Sequence, residues 1–207
     1  MTTDAYTDTR VQLHTVTEWL LAGPQYATSG TIRLRAGGTS IATVAAPDVS
    51  LSPAGLTVDG STHPLTGTVQ QLADAAGLPC RRPAVDYHDP VPGGPDTDLD
   101  PTPAAVGDVL KAFASGAAAL AAFSGETPVV WPEHFDMAIR ANDVNYGVSP
   151  GDAFCDRPYA YVGPDSHPAD DFWNAPFGAF LRFDPQARSA TSMILTFFQT
   201  GRDLAAR

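Results

Sequence analysis

Apolar positions along the chain change period several times, and each change marks an element. Leu13, Val16 and Leu20 recur at helical spacing and predict a helix over residues 8–22. Asp8 is placed to cap its start, Gly23-Pro24 to stop it, and His14 lies within it. Alternation follows in TIRLRAGGTSIATV, which reads as a hairpin turning at Gly37-Gly38. Ile32 and Leu34 take one face of it, Arg33 and Arg35 the other. GLTVDGSTHPL predicts a second hairpin about Asp59-Gly60, and TVQQLADAAGL a short helix closed by Gly77.

The segment 86–103, DYHDPVPGGPDTDLDPTP, breaks the pattern. Its prolines and glycines oppose regular structure, which predicts an exposed excursion held only at its ends. Helical period returns over 104–124, where Val106, Val109, Leu110, Phe113, Ala117 and Leu120 form one stripe. Gly107 and Gly116 offer places where another element could approach closely. Strands are then predicted near 130–140, 144–149, 158–163 and 178–183, and a last helix over 187–205 with Ile194, Phe197 and Phe198 inward. Short turns between strands imply a largely antiparallel sheet backed by helices. The expected fold is a single α+β domain spanning residues 1–207.

Within VVWPEHFDMAIRANDVNYGV, strand alternation sends Phe135, Met137 and Ile139 to the core. His134, Asp136 and Ala138 then share the opposite face, the first two about 7 Å apart. An imidazole and a carboxylate so placed suit acid–base work on a bound ligand, with Asp136 as acid, base or anchor and His134 as its partner. The pair equally suits a plain solvated face, because a lone HxD carries little specificity. Tyr159 and Tyr161 alternate onto one face of PYAYV, where they either wall a pocket beside Asp136 or cap the core edge. Phenol donors beside Asp136 would favour its ionised form and lower its pKa. Trp131 and Trp173 complete the candidate ligand-binding set. Trp173, in HPADDFWNAPFG, could lid a pocket, fill a gap in the core or form a contact patch.

Composition narrows the partners. The chain is 43% hydrophobic and 17% charged, with a formal net charge of -11. Only the short basic pairs Arg33/Arg35 and Arg81/Arg82 occur, which argues against nucleic acid and anionic membrane. The apolar runs read as shorter than the ~20 residues a bilayer needs. The polar start MTTDAYTDTR lacks the features of a signal peptide, so a soluble cytoplasmic protein is expected. Cys80 and Cys155 stand apart and read as ordinary thiols. Histidines at 14, 63, 88, 134 and 167 are scattered, and zinc would require His88 to meet His134 in space, so neither metal nor cofactor is expected. GxSxG, GxxxxGK[ST], HExxH and GxGxxG are all absent.

Trp131, Phe135-Asp136-Met137-Ala138, Tyr159-Ala160-Tyr161 and Gly178-Ala179-Phe180-Leu181 occur in that order. In these residues the chain resembles an uncharacterised bacterial family, frequent in actinobacteria and known as a domain of unknown function. That family carries a tryptophan before a Phe-Asp-Leu-Ala strand, then a Tyr-Ala-Tyr strand, a Gly-x-Phe-Leu strand and a C-terminal helix. The resemblance covers the last half closely and the first half loosely. It departs at Pro132-Glu133-His134, so it supports Asp136 rather than His134. It implies a shared fold and no activity. The functional expectation is a small-molecule binding protein, with catalysis open, on the face of His134, Asp136, Tyr159 and Tyr161. The alternative is a non-catalytic structural or interaction module.

Overall fold

The computed structural model describes residues 4–85, 91, 93–166 and 169–206. Asp86, His88 and Asp89 lie outside them, and with these the metal reading of His88. The described chain is one α+β domain. A ten-stranded antiparallel sheet carries helices on one face.

The first helical rod begins earlier than expected. Helix α1 (Ala5–Val16) is capped by Asp4, which accepts the Tyr6 and Thr7 amides, so Asp8 falls inside the first turn. Gly23-Pro24 does not end the rod. A π-helical stretch (Thr17–Ala22) leads directly into α2 (Gly23–Ser29). The Gly23 amide reaches back to the Glu18 carbonyl, and Pro24 has no amide to place. Gly23 is needed for another reason: a Cβ there would collide with the Arg81 carbonyl, whose segment crosses the rod at this point.

Strands β1 (Leu34–Gly37) and β2 (Ser40–Thr43) pair with Gly37 opposite Ser40, so the hairpin turns at Gly38-Thr39, one residue beyond expectation. Strands β3 (Val49–Ser52), β4 (Gly55–Val58) and β5 (Ser61–His63) continue the meander. Asp59 and Gly60 both adopt positive φ, as a tight two-residue hairpin requires. Helix α3 (Val69–Ala76) has the capping box that its sequence specifies, Thr68 and Gln71 bonding reciprocally, and Gly77 closes it. Thr68→Ala should lower stability by about 1 kcal/mol in urea denaturation, with an unchanged m-value.

The described part of the 86–103 segment is held along its length, not only at its ends. The two-residue strands β6 (Gly67–Thr68) and β7 (Asp98–Leu99) pair, and Pro95 and Thr97 accept the Gln70 and Val69 amides. The Asp100 and Thr102 amides donate to Gln12 and Thr9 of α1. Val91 is buried and donates to Glu18, which is fully buried and also holds Arg82. Polar side chains of α1 and the π-helical stretch thus replace the ladder that proline and glycine deny to this segment.

Helix α4 (Pro103–Ser124) presents Val106, Val109, Leu110, Phe113 and Leu120 to the core. By length and composition alone it could cross a bilayer, although Asp108 and Lys111 interrupt its apolar run. Its apolarity follows from its position against both the sheet and α5 (Ala190–Ala205). A Cβ on Gly116 would come within 2.8 Å of Val148, whereas Gly107 has open space around it.

The remaining strands are β8 (Val129–Trp131), β9 (Asp136–Ala141), β10 (Val144–Ser149), β11 (Tyr159–Pro164) and β12 (Ala179–Arg182). The sheet order is β12-β11-β10-β9-β8-β1-β2-β3-β4-β5. Pairing of Leu34 with Val130 joins the two halves of the chain into one sheet. Asp136, Asn145, Tyr159 and Tyr161 of β9 to β11 line the site.

Candidate functional site

The strand expected to run from 130 to 140 is two strands. Trp131 pairs with Asp136, and Pro132 to Phe135 make the turn between them. His134 is therefore a turn residue, and its place beside Asp136 is not set by strand alternation. Phe135 takes a positive φ of 50° and is still fully buried. It stacks on His14 at 5.0 Å and meets Phe113 edge-on at 5.2 Å. The His14 Nε2 lies 2.7 Å from the Pro132 carbonyl oxygen and holds the turn from beneath. Burial lowers the His14 pKa to about 4. Met137 and Ile139 are core residues as expected, which leaves Asp136 on the outer face.

Tyr161 reaches Asp136 from two strands away. Gly147 of β10 sits opposite both Tyr161 and Ala138, and a Cβ there would overlap the Tyr161 phenol. The bare glycine lets the ring lie across β10, so that its hydroxyl donates to Asp136 Oδ2 at 2.5 Å. Tyr159 donates similarly to Asp152 at 2.5 Å. Asp152 also accepts the Phe154 and Cys155 amides. Asp136 is less well served: its Oδ1 is buried and accepts no hydrogen bond among the described residues.

That environment reverses one expectation. Asp136 is held by a tyrosine hydroxyl as the sequence reading proposed, but its pKa rises, to about 6. Desolvation is the largest cause, and it outweighs the Tyr161 bond and the His134 charge, which act in the other direction. Asp152 and Glu133 add to the rise. Burial and the neighbouring carboxylate also push the Tyr161 hydroxyl well above its ordinary range. Tyr161 therefore stays protonated and donates, while Asp136 titrates closer to neutrality than an ordinary carboxyl.

Two cavities meet at this pair. One, of about 640 Å³, runs toward Trp131, Arg33, Ala138 and Arg140. The other, of about 590 Å³, runs toward Asp152, Tyr159, Asp165 and Phe177. His134, Asp136, Asn145 and Tyr161 line both, so the groove has two lobes and a shared floor. Five of the six residues singled out in the sequence thus come together: Trp131, His134, Asp136, Tyr159 and Tyr161. The sixth, Trp173, lines neither lobe. It packs edge-on against Phe172 at 5.0 Å, and Phe172 in turn meets Phe197 of α5. The loop before β12 folds its first aromatics toward the C-terminal helix and leaves Phe177 to edge the groove.

Gly147, Asp152 and Asn145 belong to the groove and were not expected from the sequence, whereas Phe177 comes from the aromatic loop that was. Of the three, Gly147 alone carried a local signal, since an isolated glycine within a strand marks a close approach. Compared with protein-family models, with curated proteins and with solved structures, the chain matches none.

Proposed function

We propose that this protein binds a small organic molecule in the two-lobed groove, with Asp136 as its anchor. The observation that carries the reading is the Asp136 carboxyl. The residue is half-buried and lines both lobes, one oxygen is taken by Tyr161, and the other is buried and unpartnered among the described residues. A buried acceptor without a donor is costly; Arg10 Nε and Thr17 Oγ1 are in the same state among the described residues, but neither lines the groove. A ligand donor would satisfy the Asp136 oxygen. Concave, largely preformed sites with a few convergent polar groups are the usual form of small-molecule pockets.

A carboxyl that titrates near neutrality is also suited to accept or return a proton. In this reading Asp136 is the acid–base group, Tyr161 orients it through the 2.5 Å bond, and His134 supplies a second titratable group at the rim. Trp131 and Tyr159 form the walls. The resemblance in sequence assigns no activity, so the choice between binding and catalysis falls to experiment.

The test is a metabolite library screened by thermal shift against wild type, Asp136→Asn and Tyr161→Phe. Ligands that raise the wild-type Tm should lose most of that effect in Asp136→Asn. Tyr161→Phe should weaken them by about tenfold, the size of one hydrogen bond. Hits that stabilise all three proteins equally would place the ligand elsewhere and reject the reading.

A further inference from the structure

We infer that the lobe bounded by Tyr159, Tyr161, Phe177, Asp136 and Asp152 takes an organic cation, a protonated amine on an apolar body. The inference rests on the small-molecule reading above and adds the chemical class of the ligand. It begins with an accounting of the three aspartates in that lobe. Asp165 is engaged by Arg140, with both oxygens within 3.2 Å of its Nη2. Asp152 holds three donors, from Tyr159 and from the Phe154 and Cys155 amides. Asp136 holds one donor and keeps a buried oxygen bare. Of the three aspartates in the lobe, Asp136 is the one with acceptor capacity left among the described residues.

Among the described residues no lysine or arginine lines this lobe, and the Arg140 guanidinium that pairs with one of its walls is held by Asp165. In the neighbouring lobe, by contrast, Arg33 and Arg140 lie among the walls. A charge-assisted N–H donor is the partner that best offsets a desolvated carboxylate, better than a neutral hydroxyl or amide.

The walls support the same class. Tyr159 and Tyr161 lie 6.2 Å apart, and Phe177 is 6.3 Å from Tyr161. Phe154 packs edge-on against Tyr159 and Phe177, and both phenylalanines remain substantially exposed. Aromatic faces around an anionic floor attract a cationic head, and the exposed edges accept an apolar body. An anionic ligand would meet the carboxylates of Asp136 and Asp152, while Asp165 is already neutralised by Arg140.

The experiment compares three probes that share a phenethyl body, by calorimetry at pH 7.5: phenethylamine, phenethyl alcohol and hydrocinnamate. The amine should bind about tenfold or more tightly than the alcohol, and hydrocinnamate should give no heat. Asp136→Asn should erase the preference for the amine over the alcohol. Phe177→Ala, at the exposed rim, should weaken the amine by several fold and serves as an independent variant. Should the alcohol bind as well as the amine, with Asp136→Asn changing neither, the cation assignment fails and the small-molecule reading stands. Failure of all three probes to bind also overturns the cation assignment, and the library screen then decides the broader reading separately.

Discussion

Asp136→Asn should make the protein more stable at pH 7.5, by roughly 1–3 kcal/mol. The carboxyl titrates near 6 in the folded protein, against 3.8 as its ordinary value. Between these values the native state binds more protons than the unfolded chain, so stability falls as pH rises through the interval. Above pH 6 the ionised group is a standing cost that asparagine removes, while the amide oxygen can still accept from Tyr161. The gain should shrink as pH falls and vanish near pH 4. His14 acts in the opposite sense. Its folded pKa of about 4 lies below its ordinary 6.5, so its contribution is present above 6.5 and lost as pH falls toward 4. In the wild type the two slopes largely cancel between pH 4 and 6. Asp136→Asn should expose the His14 slope and render unfolding more acid-sensitive than in the wild type. Urea denaturation from pH 4 to 8 measures both effects. A variant less stable than wild type at pH 7.5 would show that the carboxylate is a structural tie. Destabilising charge at a binding site is a known trade of stability for function.

Gly147→Ala should cost about 1–3 kcal/mol, the range for overpacking a filled site, and abolish binding in the groove. The added methyl has no room while the Tyr161 ring lies across β10. The ring must swing away, and its bond to Asp136 breaks with it. The attribution can be checked by a double-mutant cycle. In a Tyr161→Ala background the same Gly147→Ala change should cost almost nothing, because the obstructing ring is gone. An equal cost in both backgrounds would trace the effect to the strand itself rather than to the tyrosine.

Much of the fold was legible because its causes are local. The Thr68–Gln71 capping box, the Asp59-Gly60 turn, the apolar stripe of α4 and the alternation of Met137 and Ile139 each depend on residues a few positions apart. Helical and strand periods are local properties, so the sequence by itself determined the α+β class, the antiparallel sheet and the polar outer face holding Asp136 and Tyr161. Where local signals competed with packing, packing prevailed. Pro24 did not stop the first rod, because a π-helical stretch and a crossing segment accommodated it. His134 fell into a turn that His14 supports from the far side of the sheet.

Only the tertiary structure decided how the site works. The Tyr161–Asp136 bond spans residues 25 apart in sequence and depends on a missing side chain at Gly147 in the strand between them. Trp173 and Phe177, neighbours in one aromatic loop, went to opposite duties, one against Phe172 near α5 and the other to the groove. The sign of the Asp136 shift was beyond the sequence for the same reason. A hydrogen-bond donor can be guessed from a nearby tyrosine, whereas desolvation depends on how much water the assembled neighbours exclude. That exclusion is a sum over the whole surround, fixed once the strands are in register, and here it outweighed the bond.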